Sequence, residues 1–202
     1  MSLALFYDTE TNGLPLWNEP SNHPDQPHIV QLAAHLVDTD TRNILQSINL
    51  ISRPFKWSIP DDVAAIHGIT TEKAAEIGIN ESVVVSAFLD LWTACDIRVA
   101  HNESFDARII RIGAMRHDTS EMADRFKDDT DVECTMKMAR PIVKLPPTDK
   151  MKAKNMTGYK APTLSEAYQF FFDKKLDNAH SALADVDACM AIYFEMIDRQ
   201  NV

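Results

Sequence analysis

Leu3-Ala-Leu-Phe-Tyr-Asp8-Thr-Glu10-Thr-Asn-Gly13 decides how this chain is read. Leu3 to Asp8 is a short apolar run, and the Thr-Glu-Thr-Asn-Gly that follows ends it, so the segment predicts a strand running into a turn. Working outward, Ile29 to Val37 and Ile44 to Ile51 are two more strand-like runs, joined by the polar Asp38 to Asn43. Between the first two strands, Leu14 to His28 carries Pro15, Pro20, Pro24 and Pro27 and reads as a loop. Three consecutive strands predict an antiparallel meander.

The rest of the chain changes period. Pro60 to Ile66 and Thr70 to Ile77 read as short helices, and Glu81 to Ala94 as a longer amphipathic one with Asn80 as its N-cap. Ile97 to Ala100 is a short buried strand, followed by a helix over Glu103 to Arg116 that aligns Phe105, Ile109 and Ile112. Asp118 to Lys160 is polar, with one strand near Val132 to Thr135 and a short helix after it. Thr163 to Phe172 and Ser181 to Ile197 are the closing helices, the first opened by a Thr163/Glu166 capping box. With no repeat and no linker, the order predicts one α/β domain over residues 1–202, built on a mixed sheet.

The 202 residues hold 20 Lys+Arg against 30 Asp+Glu, a net charge of -10. Such acidity opposes a nucleic-acid binder, because polyphosphate favours a basic surface. The charge is uneven, however. Residues 137–160 contain Lys137, Arg140, Lys144, Lys150, Lys152, Lys154 and Lys160 against Asp149, a local +6, so the remainder carries -16. A mobile basic arm that guides a nucleic-acid strand is the expectation for this segment. Cys95, Cys134 and Cys189 are odd in number and lack paired metal-site spacing, which predicts neither a disulfide framework nor structural zinc. No basic, apolar leader and no membrane-length apolar run is seen, so a cytoplasmic protein without a membrane partner is expected.

Three clusters carry chemistry. Asp8 and Glu10 are two apart on a strand, so both carboxylates share a face, an unfavourable placement unless a cation lies between them. His101-Asn102-Glu-Ser-Phe105-Asp106 passes from a strand into a helix, with Asn102 as its cap and Asp106 in its first turn, where strand ends gather ligands. In His180-Ser-Ala-Leu-Ala-Asp185, five residues are about 500° of helix. His180 and Asp185 therefore share a site only if His180 lies in the loop ahead and Asp185 points inward. Singly, each cluster also reads as an ordinary strand end, dipole complement or capping residue.

Taken together and in this order, with His67-Gly68-Ile69-Thr70 between the first two, the clusters resemble the DEDDh family of 3′-5′ exonucleases. That group includes the proofreading subunits of bacterial replicative polymerases. The resemblance implies a ribonuclease H-like fold, a five-stranded mixed β-sheet flanked by α-helices. It also implies that Asp8, Glu10, Asp106 and Asp185 bind two divalent metals and that His180 is the general base. An all-carboxylate donor set suits Mg²⁺ or Mn²⁺ rather than zinc. Two such ions about 4 Å apart would orient a water and stabilise the leaving 3′-oxygen, and an imidazole suits the water's proton.

The family's substrate contacts would fall on the backbone of Thr9 to Thr11, on Leu14 and on Asn102 and Phe105. His67 and His101 would be structural or substrate-side, and Trp17 and Trp57 are candidate stacking rings. The Pro-rich loop would flank the site and restrict entry of 3′ ends. The implied activity is release of nucleoside monophosphates from DNA 3′ ends, DNA being favoured by the Asp-Thr-Glu-Thr form of the first motif. An exoribonuclease with the same metals and a non-catalytic binding module are the alternatives. A DNA polymerase is a possible partner, although the chain ends soon after its last helix, which favours a stand-alone enzyme.

Overall fold

In the computed structural model, which describes residues 2–117 and 120–200, β1 (Leu3–Thr11) is the hub of the sheet. It pairs antiparallel with β2 (Ile29–Asp38) on one side and parallel with β4 (Ile97–Ala100) on the other. β3 (Ile44–Ile51) adds antiparallel to β2, and β5 (Asp131–Cys134) adds parallel to β4. The strand order is therefore β3-β2-β1-β4-β5, a five-stranded mixed sheet whose first three strands form the expected meander.

The two faces of β1 bury against different helices. Leu5 and Tyr7 belong to a core shared with α3 (Glu81–Trp92), α4 (Glu103–His117) and α5 (Ser120–Asp128), through Phe88, Ile109 and Phe126. Ala4 and Phe6 pack on α9 (Ala182–Gln200) through Val186 and Cys189. α6 (Thr135–Val143) and α8 (Leu164–Phe172) extend that second layer, with Ala139, Ala167 and Phe171 against Ile192 and Met196 of α9. α1 (Asp61–His67) and α2 (Thr71–Ile77) close one end of the sheet. Asn80 caps α3 by accepting from the Ser82 N–H, and the Thr163/Glu166 capping box of α8 is complete.

Two expectations need correction. β1 does not turn after Asp8; it continues to Thr11, because Leu32, Gln31 and Ile29 of β2 supply ladder partners to Thr9, Glu10 and Thr11 whatever their side chains. Asn102 is not an extended N-cap: its φ is 68°, and it is its carbonyl that accepts from the Phe105 N–H. The basic segment holds α6, the short helix expected after β5, together with α7 (Asp149–Ala153) and a Leu145–Lys160 bridge. Lys160 is committed to Glu166 and Arg140 to the Tyr159 carbonyl, while Lys137, Lys144, Lys150 and Lys154 are exposed and unpaired among the described residues. Helix α5, unforeseen in the polar stretch, forms because Ala123 and Phe126 bury one face of it; Asp118 and Thr119 lie outside the described residues.

Candidate active site

The alternation of β1 distributes the first motif. Asp8 and Glu10 continue the Ala4/Phe6 side towards α9, whereas Thr9 continues the Leu5/Tyr7 side towards α4. There the Thr9 N–H and hydroxyl both donate to Asp106 Oδ1, at 3.0 and 2.8 Å. Asp106, 2% exposed, is thus fixed at the start of α4 beside the end of β1. Thr9 acts on the site through Asp106 rather than facing outward. The first turn of α4 is held by Glu103, which accepts from the Tyr7 hydroxyl and from Arg98 Nε, both at 3.0 Å.

The third motif arrives from the other layer. His180 is exposed in the turn ahead of α9, with φ at 69°. Its N–H donates to Asp185 Oδ2 at 3.1 Å, while the Asp185 N–H donates to the Ser181 carbonyl at 3.0 Å. This is the arrangement the five-residue spacing required. One donor atom from each of Glu10, His180 and Asp185 lies within 4.8 Å of the others. Asp8 and Asp106 complete the acidic group, close enough for each carboxylate to oppose ionisation of its neighbours.

Burial and mutual repulsion act in one direction on these acids. Burial first, then Asp185 and Asp106, pushes Glu10 up to about 8. Burial together with Asp106, Asp185 and Glu10 raises Asp8 well above the carboxylate range. Asp106 is raised to about 7 by burial despite its two hydrogen bonds from Thr9, and Asp185 to about 6 by burial despite the His180 N–H. Asp185 Oδ1 is buried without a hydrogen-bond partner. A buried acceptor of this kind is costly unless something outside the chain satisfies it. Oxygen donors around an unsatisfied carboxylate, with the exposed His180 imidazole beside them, fit a hard divalent ion.

The remaining expected residues fall into two groups. Leu14, 77% exposed, and half-buried Phe105 lie on either side of the first two motifs, and the Thr11 hydroxyl donates to the Gly13 carbonyl at 2.7 Å. His67 is buried at the end of α1. Gly68, at φ 74°, turns the chain so that the Ile69 N–H reaches His67 Nδ1 and Thr70 can cap α2, while Nε2 is left without a partner close to Thr11 and His180. His101, by contrast, is structural: its ring nitrogens lie 2.9 Å from Thr135 Oγ1 and 3.1 Å from the Pro162 carbonyl, and burial lowers it to about 4. Trp17 is exposed, and Trp57 stacks on His28 at 4.6 Å. The Pro-rich loop folds around buried Gln26 and is clasped to α4 by Arg108 and Arg116.

Sequence reasoning missed Gln31 and His35. Gln31, opposite Glu10 in β2, accepts from the Ala182 N–H at the start of α9, and His35 lies 3.0 Å from Asp187 one turn further on. The signal was there as two polar residues, four apart, inside the apolar run of β2.

With three motifs converging on one end of the sheet, comparison with known proteins is direct. The RNase_T exonuclease family model matches residues 5–193. The chain belongs to the RNase_T exonuclease family. This bears out the recognition of a DEDDh-type exonuclease from the ordered motifs. Solved structures similar to this family member include E. coli Exonuclease I bound to a dT13 oligonucleotide, 22% identical with a TM-score of 0.77 over 100% of this chain and 42% of that one. The product-bound form of exonuclease I is 21% identical with a TM-score of 0.73, over 100% and 44%. The E. coli ExoI–ssDNA complex with zinc is 20% identical with a TM-score of 0.74, over 100% and 41%. The likeness bears out the ribonuclease H-like fold. The chain spans about two-fifths of the length of these structures. No curated protein sequence matches it. Among the described residues, no helix is long and apolar enough to cross a membrane.

Proposed function

We propose that this protein is a metal-dependent 3′-5′ exonuclease that hydrolyses the last phosphodiester bond of a DNA strand and releases nucleoside monophosphates. The observation that carries this reading is the convergence of Glu10, His180 and Asp185 donor atoms within 4.8 Å around the unpartnered Asp185 Oδ1. Asp8, Glu10, Asp106 and Asp185 would hold two Mg²⁺ or Mn²⁺ ions. Bound there, divalent cations supply Lewis-acid polarisation of the phosphate and an activated water.

The chain's own groups account for the rest. His180, exposed at the mouth of the site, takes the water's proton on a ring nitrogen while its N–H stays fixed to Asp185. Thr9 holds the orientation of Asp106 with two hydrogen bonds. Exposed Leu14 offers an apolar contact to the terminal base, with Phe105, Asn102 and the Thr11 backbone lining the same end and His67 behind Thr11. The unpaired lysines of residues 137–154 give an otherwise acidic surface a local attraction for phosphate. Exonuclease I was solved with DNA oligonucleotides, and that likeness together with the Asp-Thr-Glu-Thr motif favours DNA.

The test is a panel of 5′-labelled DNA and RNA strands incubated with Mg²⁺ or Mn²⁺ and either wild type or Asp8→Ala. A ladder receding from the 3′ end on DNA, lost in the variant, is the expected result. A ladder on RNA alone would reassign the substrate, and no product on any strand would refute the reading.

A further inference from the structure

A second recess lies around the corner from the carboxylates. The Asn12 side chain, two residues beyond Glu10, accepts from the His28 N–H at 2.7 Å and donates to the Ser58 carbonyl at 3.1 Å. It thereby ties the start of β2 and the segment after β3 to the end of β1. Behind that tie is a cavity of about 360 Å³ lined by His28, Arg53, Phe55, Trp57, Glu81 and Arg116. This volume falls within the range of small-ligand sites. None of the catalytic-type carboxylates belongs to it.

The lining has two components. One is a set of aromatic surfaces: Trp57 lies flat on His28, 8° from parallel, and Phe55 is 75% exposed. Lys56, at φ 61°, turns the chain beside it, and its ammonium sits 5.2 Å over the Phe55 ring. A large apolar ring held outward next to a non-glycine residue in the left-handed region is an expensive arrangement for an idle loop. The other is charge. Glu81 is already paired with Arg116 and the two histidines, whereas the exposed Arg53 has no hydrogen-bond or ion-pair partner among the described residues. A free guanidinium beside the exposed Phe55 ring and half-buried Trp57 matches a planar base joined to a phosphate.

We propose that this recess binds a nucleoside phosphate of the bound strand, upstream of the 3′ end, with the base on Phe55 and Trp57 and the phosphate on Arg53. The inference rests on the exonuclease reading above. His28 pairs with Asn12, two residues past Glu10 and one strand over, so the recess begins roughly 8 Å from Glu10. At the ~3.4 Å rise of a stacked strand, that is about two steps, which places the third nucleotide from the reacting end there. A dinucleotide cannot reach it and a decanucleotide can.

The experiment compares wild type with Arg53→Ala/Phe55→Ala on a dinucleotide and on a decanucleotide. It also measures anisotropy of a labelled decanucleotide in EDTA, where no cleavage is needed. Both side chains are exposed, and an unchanged melting temperature verifies the fold. The expected result is a roughly tenfold rise in KM and in Kd for the decanucleotide, with kcat and all dinucleotide parameters unchanged. If wild type cuts no strand, the exonuclease reading fails. If wild type cuts and binds but the variant matches it on the decanucleotide, the recess is not a strand subsite. Relief by the variant of inhibition by a free nucleoside monophosphate, with strand binding intact, would assign the recess to released product and overturn the proposal.

Discussion

Glu10 and Glu81 stand on either side of the Asn12–His28 pair, the first half-buried and the second buried, and their charges are resolved in opposite ways. Glu81, 4% exposed, accepts from His28 at 2.7 Å, His117 at 3.0 Å, the Ile29 N–H at 2.9 Å and Arg116 at 3.3 Å. Burial alone would push it up, but the His117 and His28 hydrogen bonds, the His28 charge and the Ile29 N–H bring it down to about 2. Glu10 faces other carboxylates and is pushed up to about 8. Glu81 is ringed by one guanidinium and two imidazoles, whereas Glu10 is ringed by further carboxylates and, among the described residues, the His180 imidazole. The contrast fits a second group completed from outside, since carboxylates packed this closely are otherwise a cost to folding.

Removing the repulsion should separate function from stability. Glu10→Gln is expected to lower exonuclease activity by more than ~100-fold, because losing a ligand exceeds the ~10–100-fold cost of losing a residue that only supports one. In the metal-free protein at pH 8 the same change should raise the melting temperature. A lower metal-free melting temperature would break the contrast. Glu81→Gln should do the reverse, destabilising by about 3 kcal/mol in chemical denaturation, because Arg116 and the histidines lose a buried partner. Its Mn²⁺-induced rise in melting temperature should survive.

A pH series sharpens the same comparison. Glu10, Asp106 and Asp185 hold their protons more tightly folded than unfolded, with folded values of about 8, 7 and 6. Folding therefore takes up protons above the ordinary carboxylate range, and metal-free stability should fall as pH rises from about 4 to 8. Glu81, lowered from 4.5 to about 2, contributes stability that is present above its ordinary value and lost as pH falls towards 2. Scanning calorimetry with and without Mn²⁺ should show a metal-induced gain that is larger at pH 8 than at pH 6, where protons compete for the same oxygens. Equal gains at both pH values would count against the carboxylates as the ligands. The smallest effect is expected from Thr9→Val, which removes one of the two hydrogen bonds on Asp106. About a tenfold loss of activity with stability changed by about 1 kcal/mol would place Thr9 as a positioning residue, measured by steady-state kinetics beside denaturant melts.

Much of this was legible in the order of residues. Strand periodicity placed Asp8 and Glu10 on one face, and the angular mismatch of His180 and Asp185 required a turn before α9, which His180 occupies at φ 69°. Other features were not legible, because they depend on partners distant in sequence. β1 extends to Thr11 only because β2 lies beside it. Gln31 serves α9 across 151 positions, and the basic segment folds back on α8 and on itself through Lys160 and Arg140. Local composition carries no information about such pairings.

By itself the sequence determined the alternation of faces, the helix caps and the three ordered acid motifs, since these follow from φ/ψ preferences and the periods of strand and helix. Only the tertiary structure decided how closely those acids would stand and that Glu81 would instead be paired with Arg116 and two histidines. Glu81 and Glu10 are the same residue type, and what distinguishes them is the set of charges that packing brings within a few ångströms.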